Sequence, residues 1–79
     1  MKELKFYTTQ GCHLCEEAEE ILAVLRKRYM FALEVIDIAA EAELVEKYGL
    51  SIPVLLNTEN QRHLYWPFDA DKIVTLLGH

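Results

Sequence analysis

The chain predicts an α/β fold of order βαβαββα, and three observations carry that reading. Short runs rich in branched and aromatic residues alternate with stretches whose apolar residues recur at three and four positions. Two late apolar runs flank a polar stretch, as in a hairpin, and glycine or proline marks the joins. Seventy-nine residues allow one domain over 1–79, because a chain of this length buries only about 60% of the surface its unfolded form exposes.

Leu4 to Thr8 is the first strand. Thr9-Gln10-Gly11 breaks it, with Gly11 permitting a tight strand-to-helix turn. Leu14, Ala18, Ile21, Leu22, Leu25 and Tyr29 then step at helical spacing. Glu16, Glu17, Glu19 and Glu20 precede Arg26, Lys27 and Arg28, the charge order a helix dipole favours, and the glutamates read most simply as a solvated face. Phe31 to Ile38 is the second strand, reached through a helix and so parallel to the first in a right-handed βαβ unit. Ala40 to Tyr48 is a short second helix with Leu44, Val45 and Tyr48 on one side, and Gly49 is expected to cap it in the left-handed conformation. Val54-Leu55-Leu56 and His63-Leu64-Tyr65-Trp66 form the hairpin around Asn57 to Arg62, and Pro67 ends its second strand. Asp69 caps a last helix with Ile73, Leu76 and Leu77 inward, and Gly78 closes it.

Composition narrows the function. The balance of 52% hydrophobic and 27% charged residues is globular, and no apolar run approaches the roughly 20 residues that cross a bilayer. Met1-Lys2-Glu3-Leu4-Lys5 carries charge where a signal peptide would be apolar, so a cytoplasmic protein is expected, without a membrane partner. A net charge of −5 opposes binding to phosphate backbones, so no nucleic acid is expected either.

Both cysteines fall in Cys12-His13-Leu14-Cys15, directly after the first strand and at the start of the first helix. Unpaired N–H groups and the positive end of a helix dipole favour a thiolate at Cys12, and the thiolate is the nucleophile in disulfide exchange. One helical turn separates Cys15, and side chains three apart lie roughly 5–6 Å from each other at Cβ, so the sulfurs can bridge. A structural staple would ordinarily join distant segments, where the loop-closure effect is larger. The pair therefore reads as a reversible dithiol in which Cys12 attacks and Cys15, the more buried sulfur, resolves. His13 between them is either a plain exposed side chain or, when protonated, a stabiliser of the Cys12 thiolate.

Gly11-Cys12-His13-Leu14-Cys15-Glu16, Lys47-Tyr48-Gly49, Ile52-Pro53-Val54-Leu55 and Trp66-Pro67-Phe68-Asp69 together resemble the thioredoxin-like superfamily, in the compact form of glutaredoxin-like proteins. The resemblance spans nearly the whole chain. It implies a four-stranded mixed sheet flanked by helices, a cis peptide at Pro53 lying against the dithiol, and an Ile52 backbone free to pair with a bound peptide or glutathione. Ile52, Pro53 and His13 are thus the expected substrate-binding residues beside the catalytic Cys12 and Cys15, and no metal is expected.

Two departures from ordinary glutaredoxins weigh on the ligand. Those proteins carry a lysine shortly before the first cysteine and a Gly-Gly-Asp-like segment after the last strand, where this chain has Thr9-Gln10-Gly11 and Trp66-Pro67-Phe68-Asp69. No tightly bound cofactor is expected, and glutathione loses both its cationic anchor and the close backbone approach that glycine gives. Asp69 is more simply a helix cap than a ligand to an amino group. The leading expectation is a monomeric thiol–disulfide oxidoreductase acting on protein or small-thiol disulfides. The alternatives are a non-enzymatic binding or regulatory module on the same frame, and metal or iron–sulfur binding, for which a single C-x-x-C supplies half of a four-ligand site and His63 and His79 show no paired spacing. Tyr65, Trp66 and Phe68 are read as core packing or as the lining of a substrate groove, and Tyr7 and Tyr48 as core or rim.

Overall fold

In the computed structural model, which describes residues 2 to 78, β1 (Lys2–Thr8) is the second strand of a sheet ordered β2-β1-β3-β4, with β2 at Phe31–Asp37, β3 at Val54–Asn57 and β4 at Arg62–Tyr65. β1 runs parallel to β2 because α1 (His13–Leu25) intervenes, and the β3–β4 hairpin returns antiparallel to both of its neighbours. A 3₁₀ turn at Ile38–Ala40 leads into α2 (Ala42–Tyr48), and α3 (Ala70–Leu76) closes the described chain.

Alternation along the strands assigns each side chain to a face. Leu4 and Phe6 of β1 and Leu55 of β3 meet Ala18, Leu22 and Leu25 of α1, Ile73 and Leu76 of α3, and Phe68 in one buried cluster. Completely burying one such side chain contributes about 1.5–3 kcal/mol, so this layer anchors the sheet. The opposite face buries Tyr7, Val54 and Leu56 against Ile38 and Tyr48. Asn57, 2% exposed, ties the hairpin to α3: its Nδ2 donates to the Leu76 carbonyl at 2.8 Å and its Oδ1 accepts from the Glu59 N–H at 2.9 Å.

The predicted order of elements holds, and several boundaries move. The second strand stops at Asp37, not Ile38, because the Asp37 carboxylate accepts from the Ala39 N–H at 2.9 Å and turns the chain. The second helix accordingly starts at Ala42 rather than Ala40. Gly49 is right-handed (φ −52°, ψ −35°), against the expected left-handed cap: its N–H continues the helical pattern to the Val45 carbonyl, and Ser51 and Ile52 then both donate to the Tyr48 carbonyl. The first helix ends at Leu25, so Arg26 to Arg28 follow it instead of filling its last turn. Trp66 lies just beyond β4. Asp69 does cap α3, accepting from the Lys72 N–H at 2.9 Å, and Gly78 follows that helix at φ +91°.

Candidate functional site: a cysteine pair at the mouth of the first helix

The site begins where β1 leaves the sheet. Gly11 takes φ +76°, a conformation that costs a glycine little, and this lets the chain turn from the strand directly into α1. Cys12 is the N-cap of that helix, with extended backbone (φ −90°, ψ 105°), and its carbonyl accepts the first helical bond from the Glu16 N–H at 3.2 Å. Its sulfur occupies the place a serine oxygen takes in other caps: Cys12 Sγ accepts from the Cys15 N–H at 3.1 Å. Cys12 and Cys15 are joined as a disulfide, their Cα atoms 5.2 Å apart. Cys15 is 2% exposed within the α1 core while Cys12 is half-buried, the asymmetry expected of the pair.

One cleft holds the pair and a second borders the C-x-x-C turn at Leu14. The first, of about 360 Å³, is lined by both cysteines with Thr8, Gln10, Gly11, Glu16, Glu19 and Asp37. The second, of about 300 Å³, joins Leu14 of the C-x-x-C turn to Leu50, Ser51, Ile52, Tyr65 and Trp66. Leu14, Leu50 and Tyr65 are exposed there, and Trp66 is half-buried with its ring edge-on to Phe68 at 5.0 Å. The aromatic trio therefore divides: Tyr65 and Trp66 line a groove, whereas Phe68 is core. Among the described residues no lysine or arginine lines either cleft.

Ile52-Pro53 is cis, as the resemblance implied, and Pro53 is fully buried. Ile52 is half-buried and packs on the cores of both sheet faces. Its N–H is not free, contrary to expectation: it donates to the Tyr48 carbonyl at 3.1 Å, closing the turn that follows α2. His13 is 86% exposed with Nδ1 3.6 Å from Glu16 Oε2, so its partner is a carboxylate on its own helix. Tyr7 and Tyr48 are buried and stacked at 4.3 Å, and Tyr48 Oη shares a hydrogen bond of 2.9 Å with His63 Nε2. Burial first, then the neighbouring Tyr48 and the Glu34 carboxylate, hold the Tyr7 phenol above its ordinary pKa. His63 thus belongs to a ring stack. His79 lies outside the described residues, and among those no group of three or more His, Cys, Asp or Glu side chains is placed to hold a metal ion.

Residue spacing did not single out Glu19, Asp37, Leu50 or the second cis bond, Trp66-Pro67. Two of these had a readable signal. Glu19 stands one helical turn beyond Cys15 and so on its side of α1. Asp37 ends the strand paired to β1, opposite Thr8, at the carboxyl edge where open α/β sheets place their ligands.

A parallel βαβ unit feeding an antiparallel hairpin, with helices on both sides of the sheet, puts the chain in the thioredoxin-fold class. A mutant thioredoxin from Halobacterium salinarum NRC-1 shares that fold at TM-score 0.76 over 96% of this chain and 71% of its own, with 21% identity. The glutaredoxin-like domain (DUF836) family model matches residues 3–78, and the chain belongs to that family. Two solved structures are similar along almost their whole length. The X-ray structure of the target protein XcR50 from X. campestris is 39% identical, with 95% of each chain covered and a TM-score of 0.79. The solution NMR structure of Ne2328 from Nitrosomonas europaea is 38% identical, covering 96% of this chain and 91% of its own at TM-score 0.80. No curated protein sequence matches the chain.

Proposed function

We propose that the protein is a thiol–disulfide oxidoreductase that reduces disulfides of proteins or small thiols through Cys12 and Cys15. The observation that carries this reading is the hydrogen bond from the Cys15 N–H to Cys12 Sγ at the helix N-cap. In the reduced protein that donor faces a thiolate. A hydrogen bond to a charged group contributes about 1.5–3 kcal/mol and a helix dipole about 0.3–1 kcal/mol. Against them stand Glu16 and Glu19, exposed carboxylates whose repulsion through water is screened to about 1 kcal/mol or less each. The balance favours ionisation of Cys12 over a free thiol.

The Cys12 thiolate attacks one sulfur of the substrate disulfide, forming a mixed disulfide and releasing one substrate thiolate. Cys15, deprotonated, then attacks Cys12 Sγ, forming the Cys12–Cys15 bond and releasing the second. Two electrons pass from the protein dithiol to the substrate, and the two protons end on the substrate thiols. Ile52, in the cleft beside Leu14, borders the path of a bound segment with its N–H committed to the turn, and buried Pro53 supports it from below. Exposed His13 meets the substrate at the rim. A thiol or dithiol reductant regenerates the pair.

Reduction of insulin by wild type, Cys12→Ser and Cys15→Ser tests the proposal. Serine is a good N-cap, so the Cys12 variant keeps its helix start. Cys12→Ser is expected to fall to the uncatalysed background, and Cys15→Ser to accumulate a mixed disulfide visible by mass. Equal rates for all three proteins would end the proposal.

A further inference from the structure

The two sides of the cysteine pair differ in chemistry. Successive residues of a helix step by about 100° around its axis, so Leu14 and Glu16 diverge to opposite sides of Cys15 and Glu19 returns near it. On the Leu14 side lie Leu50, Ser51, Ile52, Tyr65 and Trp66, an open and uncharged groove of large side chains whose surface is about half polar. On the Glu16 side, Glu19 and Asp37 complete an acidic wall. His13 meets Glu16 at 3.6 Å, and the Asp37 carboxylate accepts the Ala39 N–H, a bond that leaves its charge in place. Among the described residues no lysine or arginine pairs with any of the three.

We infer that the dithiol selects protein disulfides whose cysteine is flanked by a bulky apolar residue on one side and by lysine or arginine on the other. This rests on the oxidoreductase reading and names its substrate class. In an extended segment laid across the sulfurs the residues two positions to either side of the cysteine share its face, so their side chains enter the two clefts, one of which favours an apolar group and the other a positive charge. Glutathione disulfide is mismatched on both sides: it is small, lacks a bulky apolar side chain and carries a net negative charge toward the carboxylates. Glu16, Glu19 and Asp37 are in this account specificity residues that act on the approach of the substrate.

The test is single-turnover reduction, by the pre-reduced protein, of disulfide-linked homodimers of a short peptide with leucine two residues to one side of its cysteine and lysine or glutamate two residues to the other. Each rate is divided by that of the same dimer with dithiothreitol, which removes the intrinsic reactivity of the peptide. At low salt the lysine dimer is expected to react about tenfold faster than the glutamate dimer, several exposed charge pairs adding in the same direction. Near 1 M salt, where screening acts within roughly 3 Å, the ratio is expected to fall below about twofold. Glu16→Gln/Glu19→Gln is expected to narrow the ratio at low salt. Glu17→Gln/Glu20→Gln, which removes the same charge from exposed positions away from the cleft, leaves it intact. Equal rates for the two dimers, or a ratio that follows net charge in both double variants, would overturn the inference while leaving the oxidoreductase reading standing. Reduction of neither dimer would overturn that reading too.

Discussion

The two faces of the sheet are built differently. The face under α1 and α3 is a continuous apolar layer in which Leu4, Phe6, Leu22, Leu55, Ile73 and Leu77 are essentially inaccessible to water. The face under α2 is smaller and centres on rings with polar tips: Tyr7 on Tyr48, Tyr48 hydrogen-bonded to His63, and His63 stacked on Tyr65 at 5.7 Å. Cys12 and Cys15 belong to the first face, and Ile52 touches both. The first face therefore fixes the frame that holds the sulfurs, while the second packs under the turn that carries Ile52, the segment proposed to meet the substrate. Damage to the first should cost stability, and damage to the second should cost substrate handling.

That contrast can be broken by substitution. The largest expected effect is Leu22→Ala, which leaves a hole under the sheet and should remove about 2–5 kcal/mol, a large share of the roughly 5–15 kcal/mol of a typical domain. Urea unfolding measures it. Next comes Asn57→Ala, which strips a buried donor from the Leu76 carbonyl and should cost about 1–3 kcal/mol in the same assay. Tyr48→Phe, confined to the second face, removes the bond to His63 and should cost only about 0.5–1.5 kcal/mol. If Tyr48→Phe proves as damaging as Leu22→Ala, the division between faces is wrong.

The smallest effect is read by pH. Tyr7 is held above its ordinary pKa, so the folded state keeps its phenol protonated longer than the unfolded chain does. The stability this contributes is complete below the unfolded value and is lost as pH rises through the folded one, which places the loss above roughly pH 10. Wild type should lose stability in that alkaline range more steeply than Tyr7→Phe, measured by thermal unfolding across pH. Identical alkaline slopes would remove Tyr7 from the account.

Much of this was legible in the residues. Helical spacing marked the α-helices, each of which hides one face, while runs of branched and aromatic residues marked the strands, of which β1 and β3 are covered on both faces. The cysteine pair was legible because the spacing of two sulfurs on one helical turn is itself the chemistry. What escaped were features set by tertiary contact. Leu50 looks like any leucine after a helix, and only the placement of Tyr65 and Trp66 makes it one wall of a groove. Gly49 carried the signature of a left-handed cap, and two further N–H groups bonding to the Tyr48 carbonyl kept the chain right-handed. Asp37 sits 25 residues from Cys12 in sequence and reaches the cleft through the parallel pairing of β1 and β2.

The proposed chemistry turns on one sulfur, so the most direct measurement is the pH dependence of alkylation of the reduced protein, with the modified cysteine identified by mass. Iodoacetamide is expected to label Cys12 alone, with a midpoint below the value of about 8.5 for an ordinary cysteine thiol. Labelling of Cys15 first, or a Cys12 midpoint at or above that of a free thiol, would contradict it.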